Sequence, residues 1–254
     1  VLAYVQTHGP VHPRQVEQHF AHGNVTNYWG GSSSATTHLL DGMHYRGMLR
    51  VVRRDSGTRV YEAVAHPPTD DSPASRAQRA AALVALVVHK YAPLPAASLT
   101  YLVRLLGYGA PHLAPQIQTA LRLAKQELAS CQINGTTWYW PADENPASRR
   151  HTPDGAVRLL APFDPVVWDR RRFTLLWDWT YKFEAYTPAP QRKLGYYALP
   201  LLWHDRVIGW ANVTAPQGHM VVNFGYADKA PQGADFRAAL DDELQRMAYF
   251  LAAH

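Results

Sequence analysis

The residues best suited to contact or chemistry lie between positions 33 and 59. Ser33, Ser34, Thr36, Thr37 and His38 crowd the start of one helix-like segment, and Arg46 lies at its end. Small hydroxyl side chains at a helix start allow close approach and hydrogen bonds to phosphate or base edges. Arg50, Arg53, Arg54 and Arg59 follow on two strand-like runs. Guanidinium groups pair with phosphate through two parallel N–H bonds, and on a hairpin they can track a nucleic-acid backbone. The plainer account makes the hydroxyls helix caps and the hairpin a solvated surface. The two features side by side favour contact with DNA.

Further basic candidates lie downstream. Arg122 and Lys125 stand on a later helix, as do Gln116 and Gln118, which read as an exposed helix face. Arg170, Arg171 and Arg172 form a dense run beside Trp168, suited either to structural ion pairing with Asp169 or to clamping a phosphate. Arg192 and Lys193 precede a strand and suit a hairpin tip near DNA. The many tryptophans and tyrosines from Trp168 to Trp210 suit core and cross-strand packing, with stacking on an extruded base as the alternative. No phosphate-binding glycine loop, nucleophile elbow or His-Glu-x-x-His pattern is present, so these residues identify no catalytic group. Asp164 and Asp169 are spaced as a carboxylate pair might be, but Asp164 precedes Pro165 and reads first as a turn residue. The histidines do not fall at metal-ligand spacing, and no metal site is expected.

These residues must be positioned by elements that the apolar pattern reveals. Two Pro- and Asp-rich stretches, from His66 to Pro73 and from Pro141 to Pro153, read as linkers. They divide the chain into segments 1–66, 74–142 and 155–254. The first reads helix, helix, helix, hairpin, with helices near residues 1–7, 13–20 and 34–47 and a turn at Asp55-Ser56-Gly57. The second repeats that order, with helices at 78–89, 96–106 and 114–127 and a hairpin across Asn134-Gly135. Three helices closed by a two-stranded wing describe a winged helix-turn-helix. The third segment offers strands near 157–160, 182–186, 196–203, 206–213 and 219–224, then a helix from Ala234. The expected fold is α+β: tandem winged helix-turn-helix domains followed by a small β-barrel-like domain with a C-terminal helix.

Charge and composition agree with an anionic partner for the first part. The chain of 254 residues carries a net charge of +5, with most of its basic residues arginine. The excess falls within residues 1–150, while 151–254 balance to zero. A single cysteine, Cys131, excludes an internal disulfide and points to a reducing, cytoplasmic setting. No apolar run reaches the length of a membrane span, and no signal peptide is visible.

Several motifs resemble those of one family. Leu159-Leu160-Ala161-Pro162-Phe163-Asp164-Pro165-Val166-Val167-Trp168-Asp169-Arg170 is similar to a hallmark of the YcaQ/AlkZ-like winged-helix DNA glycosylases. So is Gly195-Tyr196-Tyr197-Ala198-Leu199-Pro200-Leu201-Leu202-Trp203 with Asp205-Arg206-Val207-Ile208-Gly209 after it. Gly9-Pro10-Val11 and the stretch from Leu49 to Tyr61 extend the likeness over nearly the whole chain. The resemblance implies tandem winged helices and a barrel-like domain forming a concave basic surface for damaged double-stranded DNA. It implies excision of alkylated purines and unhooking of interstrand crosslinks by hydrolysis of the N-glycosidic bond, with no cofactor. Members of this family carry a Gln-apolar-Gln or Gln-apolar-Asp motif in their first winged helix. This chain begins at what resembles the second, so the catalytic segment is expected upstream of Val1. Gln116-Ile117-Gln118 matches the letters but falls in a different domain, and no catalytic role transfers to it.

Two other functions fit the residues alone. A non-enzymatic winged-helix regulator would show a sequence-specific operator. A protein-interaction module would fail to bind duplex DNA even at low salt. The leading expectation is a monomeric DNA-binding glycosylase part at the nucleoid.

Overall fold

A computed structural model describes residues 1–27, 30–67 and 70–252. Its contacts group into two compact units, Val1–Val84 with Leu102–Ala124, and Ala85–Tyr101 with the chain from Lys125 onward. The unit boundaries fall inside helices rather than at the two linkers.

The first unit opens with α1 (Leu2–His8) and α2 (Pro13–Phe20). Pro13 starts α2 where a missing N–H costs nothing. His12 caps it, its ring nitrogen accepting from the Arg14 N–H while Gln15 reaches back to the His12 N–H. Two short strands unforeseen in the sequence, β1 (Asn24–Thr26) and β2 (Ser32–Ser34), pair antiparallel before α3 (Ala35–Tyr45). Ser34 caps α3 through its hydroxyl, which accepts from the Thr37 N–H. The hairpin β3 (Leu49–Asp55) and β4 (Thr58–Ala63) turns at Ser56 and Gly57, both with positive φ, as a two-residue hairpin turn requires. Val5, Val11, Val16, Leu40, Leu49 and Tyr61 make one buried core from the three helices, the hairpin and the α1–α2 turn. A bridge from Val11 to Tyr61 ties that turn to β4.

The order then repeats: α4 (Pro73–Tyr91), β5 (Leu94–Pro95), α5 (Ala96–Gly109), α6 (Ala114–Glu127), β6 (Ala129–Ile133) and β7 (Thr136–Trp140). The β6–β7 turn uses Asn134 and Gly135, again both at positive φ. Leu94 pairs with Tyr139, as Val11 pairs with Tyr61. The helix-helix-helix-hairpin order and both turns match the sequence reading.

The third segment departs from it. The barrel-like expectation is corrected: β8 (Val157–Leu159), β9 (Ala198–Trp203), β10 (Arg206–Thr214) and β11 (Val221–Tyr226) form an open antiparallel sheet ordered β11-β10-β9-β8. Its β8 edge is covered by α9 (Ala234–Ala252) rather than by another strand. Glu243 on α9 accepts the Leu159 N–H at 2.7 Å, and Phe236 packs on Trp203. Residues 182–186, expected as a strand, are irregular, because Glu184 turns inward and its Oε2 accepts the backbone N–H groups of Lys193, Leu194 and Gly195. Two short helices unforeseen in the sequence, α7 (Pro165–Trp168) and α8 (Arg170–Trp177), are capped by Asp164 and Asp169. That capping is why Asp164 and Asp169 stand five apart, and it takes up an oxygen of each carboxylate.

Candidate nucleic-acid interface

The cleft bounded by α2, α3 and the β3–β4 turn encloses about 610 Å³. Each wall has a local reason to be there. Pro13 starts α2 beside it, the Ser34 cap begins α3 at its side, and the tight Ser56-Gly57 turn brings the tip of the hairpin over it. Ser34, Thr37, Arg54 and Arg59 line the cleft, joined by His12, Arg14, Glu17, Asp41 and Tyr61, which residue type and spacing do not single out.

The cations in this cleft differ in their freedom. Arg59 donates to Asp41 Oδ1 at 2.7 Å, and the buried Tyr61 hydroxyl donates to the same oxygen at 2.5 Å. Hydrogen bonding with Tyr61 and then with Asp41 holds the Arg59 pKa above its ordinary value. Burial, followed by the bond to Asp41, raises that of Tyr61. Arg54 donates to the Gly57 carbonyl at 3.0 Å and remains exposed, and Arg14 is exposed on α2. Among the described residues no carboxylate pairs with either. On the outer hairpin Arg50 pairs with Glu62 at 2.6 Å and Arg53 with Asp55 at 3.0 Å. Exposed pairs of this kind hold by at most about 1 kcal/mol, so a phosphate can displace the carboxylate.

Behind the cleft a polar chain fastens α2 to α3. The Thr36 hydroxyl donates to Glu17, which also accepts the Gly23 N–H at 3.2 Å, and His22 Nδ1 lies 3.0 Å from the Thr36 oxygen. With the hydroxyl hydrogen committed to Glu17, Nδ1 of His22 must carry the proton and donate. The Thr36 bond holds the Glu17 carboxyl below its ordinary pKa. Thr36 is 1% exposed, so its hydroxyl serves this internal chain and presents nothing outward. Ser33 is half-buried and accepts from the Asn27 amide. Thr37, His38 and Arg46 are exposed on α3 or at its end.

The remaining candidates scatter. Arg122 is exposed on α6, and Lys125 donates to the Thr100 hydroxyl at 3.2 Å. Gln118 is exposed on the same helix, next to the buried Ile117, as a polar helix face should be, whereas Gln116 is half-buried and its Oε1 has no hydrogen-bond partner. The arginine run divides in three. Arg171 is exposed. Arg170 donates to the Val167 and Pro162 carbonyls and lies 4.3 Å from the Tyr181 ring centre. Arg172, 4% exposed, donates to the carbonyls of Tyr91 and Pro165 inside the protein. Burial lowers the pKa of Arg170 and Arg172 alike. Arg192 lies over the Tyr196 ring, and Lys193 is exposed beside it. Phe173, Tyr181 and the half-buried Trp177, Trp179 and Trp210 are core, in line with the packing account of the tryptophans.

Among the described residues no group of three or more His, Cys, Asp or Glu side chains is gathered to hold a metal, and no helix is long and apolar enough to cross a membrane. No solved structure matches the chain. The family model described as DNA glycosylase AlkZ-like matches residues 1–250, nearly the full length that carries the cleft, the open sheet and the closing helix. The chain therefore belongs to the AlkZ-like family of DNA glycosylases, DNA-binding hydrolases of DNA repair.

Proposed function

We propose that this chain grips duplex DNA for a glycosylase that excises alkylated purines, including those that crosslink the two strands. The single observation that carries this reading is the cleft of α2, α3 and the hairpin turn, where Arg14 and Arg54 stand without a carboxylate partner beside the Ser34 cap and Thr37. Two available guanidiniums and a helix start converge there at the scale of one or two phosphates. The segments 1–66 and 74–142 then act as two winged helices, with α3 and α6 as the third helix of each and the two hairpins as wings. Segment 155–254 supplies the sheet domain. Thr37, His38, Arg46, Arg50, Arg53 and Arg59 extend the contact from the cleft along α3 and the first wing. Ser33 borders it, and Arg122, Lys125, Arg171, Arg192 and Lys193 add positive charge elsewhere. Arg170 and Arg172 support the sheet domain instead, because their guanidiniums are held by backbone carbonyls.

The chemistry asked of such an enzyme is modest. Alkylation at N7 makes the purine cationic and a good leaving group. The protein has then to hold the strand, stabilise the oxocarbenium-like sugar and position a water. The described cleft does the gripping, and none of its residues is given the handling of the water.

The test is release of free N7-methylguanine from a methylated duplex, measured by chromatography after incubation with the full-length glycosylase that contains this chain. Base release that falls in parallel with duplex affinity in an Arg14→Ala, Arg54→Ala double variant supports the reading. Binding to one preferred sequence, with no base released from any duplex, would instead favour a regulator.

A further inference from the structure

The second unit carries a surface that the duplex-gripping cleft does not use. Phe163, in the loop before α7, is 62% exposed; Tyr186 is 88% exposed and Tyr197 43%. All three rings meet one half-buried hub, Phe183, at centroid distances of 5.3, 6.1 and 5.2 Å. The angles to Phe183 are 63°, 79° and 88°, so each ring touches the hub edge to face. Among the described residues none of the three is stacked face to face on another ring. Beside them Tyr196, 59% exposed, carries the Arg192 guanidinium at 4.9 Å from its centre.

Rings this large are normally buried, and several left exposed around one hub mark a binding surface. The backbone beneath them is fixed before any ligand arrives. Glu184, between Phe183 and Tyr186, is buried and takes three backbone N–H groups from residues 193–195. The Tyr181 hydroxyl donates to the Ala198 carbonyl at 2.7 Å, and Arg192 Nε donates to the Thr187 carbonyl at 2.8 Å. A preorganised platform avoids the entropy of ordering its loop on binding.

Charge identifies the occupant. Lys182 and Lys193 are exposed next in the chain to Phe183 and Arg192, and Arg192 lies over the Tyr196 ring, while Glu184 faces inward and Asp164 is turned to the Val166 N–H as a helix cap. Open aromatic faces bordered by cations match unpaired nucleotides, whose bases stack and whose phosphates follow the positive margin. A duplex offers no free base faces along its length. We infer that the Phe163–Phe183–Tyr186–Tyr197 surface binds single-stranded DNA by stacking, separately from the duplex-binding cleft. This rests on the reading of the chain as a DNA-binding protein.

The experiment uses the full chain, a fluorescein-labelled oligothymidine of 20 nucleotides and a labelled duplex of the same length, followed by anisotropy at low salt. The Tyr186→Ala, Tyr197→Ala double variant should lose about 5- to 140-fold in single-strand affinity for each ring that stacks on a base. Its duplex affinity should stay within about twofold. Tyr186→Phe with Tyr197→Phe keeps both ring faces and should bind like the unaltered protein, with thermal unfolding unchanged in both variants. Unchanged single-strand affinity in the alanine variant overturns the inference, and so does an equal loss on duplex and single strand. The inference also fails if the alanine changes abolish sedimentation with phosphatidylserine–phosphatidylcholine vesicles while single-strand binding persists. Wild-type protein that binds duplex but not single strand defeats this inference alone. Wild-type protein that binds neither defeats the DNA-binding reading beneath it.

Discussion

Replacing Arg172 by alanine removes a buried guanidinium and leaves the Tyr91 and Pro165 carbonyls without their donors. Hydrogen bonds to charged groups contribute about 1.5–3 kcal/mol each, so unfolding in urea should show a loss of about 3 kcal/mol or more. Arg171→Ala, one residue away and exposed, should change stability by less than about 0.5 kcal/mol. A stable Arg172→Ala protein would contradict the internal role given to that side chain. Glu184 supports a second prediction at this scale. Burial raises its pKa, but the three N–H groups it accepts outweigh that and hold the carboxyl below the ordinary range. A depressed folded pKa gives stability that is present above the unfolded value and lost as pH falls through the folded one. Glu184→Gln should therefore be less stable than wild type at neutral pH, by about 1–2 kcal/mol. The gap should narrow in urea titrations taken below about pH 4. A gap that stays constant with pH would show that the ionised carboxylate is not what the N–H groups require. Residue types are legible in the sequence, but not which way they face. Thr36 and Thr37 are neighbours with the same hydroxyl, yet helical rotation turns one against Glu17 and leaves the other at the cleft. Arg170 to Arg172 read as one basic run until α8 distributes them among carbonyls, a tyrosine ring and solvent.

At the scale of elements, β10 and β11 depend on two glycines. A Cβ on Gly209 would lie 2.2 Å from the Gly225 carbonyl oxygen, and one on Gly225 would meet the Trp210 ring at the same distance. Gly209 also sits at the irregularity where β9 and β10 shift register. Backbone cannot move aside as a flexible side chain can, so Gly209→Ala should destabilise the protein by about 1–3 kcal/mol in thermal or urea unfolding. Gly218→Ala, which meets nothing within 4 Å but has a positive φ, should cost less. Equal effects from the two changes would remove the packing explanation. What the sequence discloses of the elements follows the strength of the local signals. Asn134-Gly135 and Asp55-Ser56-Gly57 encode their turns through residues that tolerate positive φ, Pro13 marks the start of the short α2, and the apolar spacing of α6 and α9 repeats over several turns. The α7–α8 pair is not legible, because four- and eight-residue helices are too short to show a period. Residues 182–186 alternate apolar and polar like a strand, but Glu184 satisfies a neighbouring loop instead of facing solvent. A barrel would need all five strand-like runs of the third segment. With one of them absent, the sheet stays open and α9 covers an edge.

For the molecule as a whole, the basic excess of residues 1–150 converges in part on one cleft, while residues 151–254 balance to zero. The most direct test of the account is the salt dependence of duplex binding. Affinity of the unaltered chain for a duplex of about 20 base pairs should fall linearly on a plot of log K against log salt, since each phosphate neutralised releases counterions. The Arg14→Ala, Arg54→Ala double variant should bind more weakly on every sequence and show a slope shallower by about 2, about one for each phosphate no longer neutralised. A double variant with the affinity and slope of the unaltered protein would contradict the assignment of that cleft to DNA.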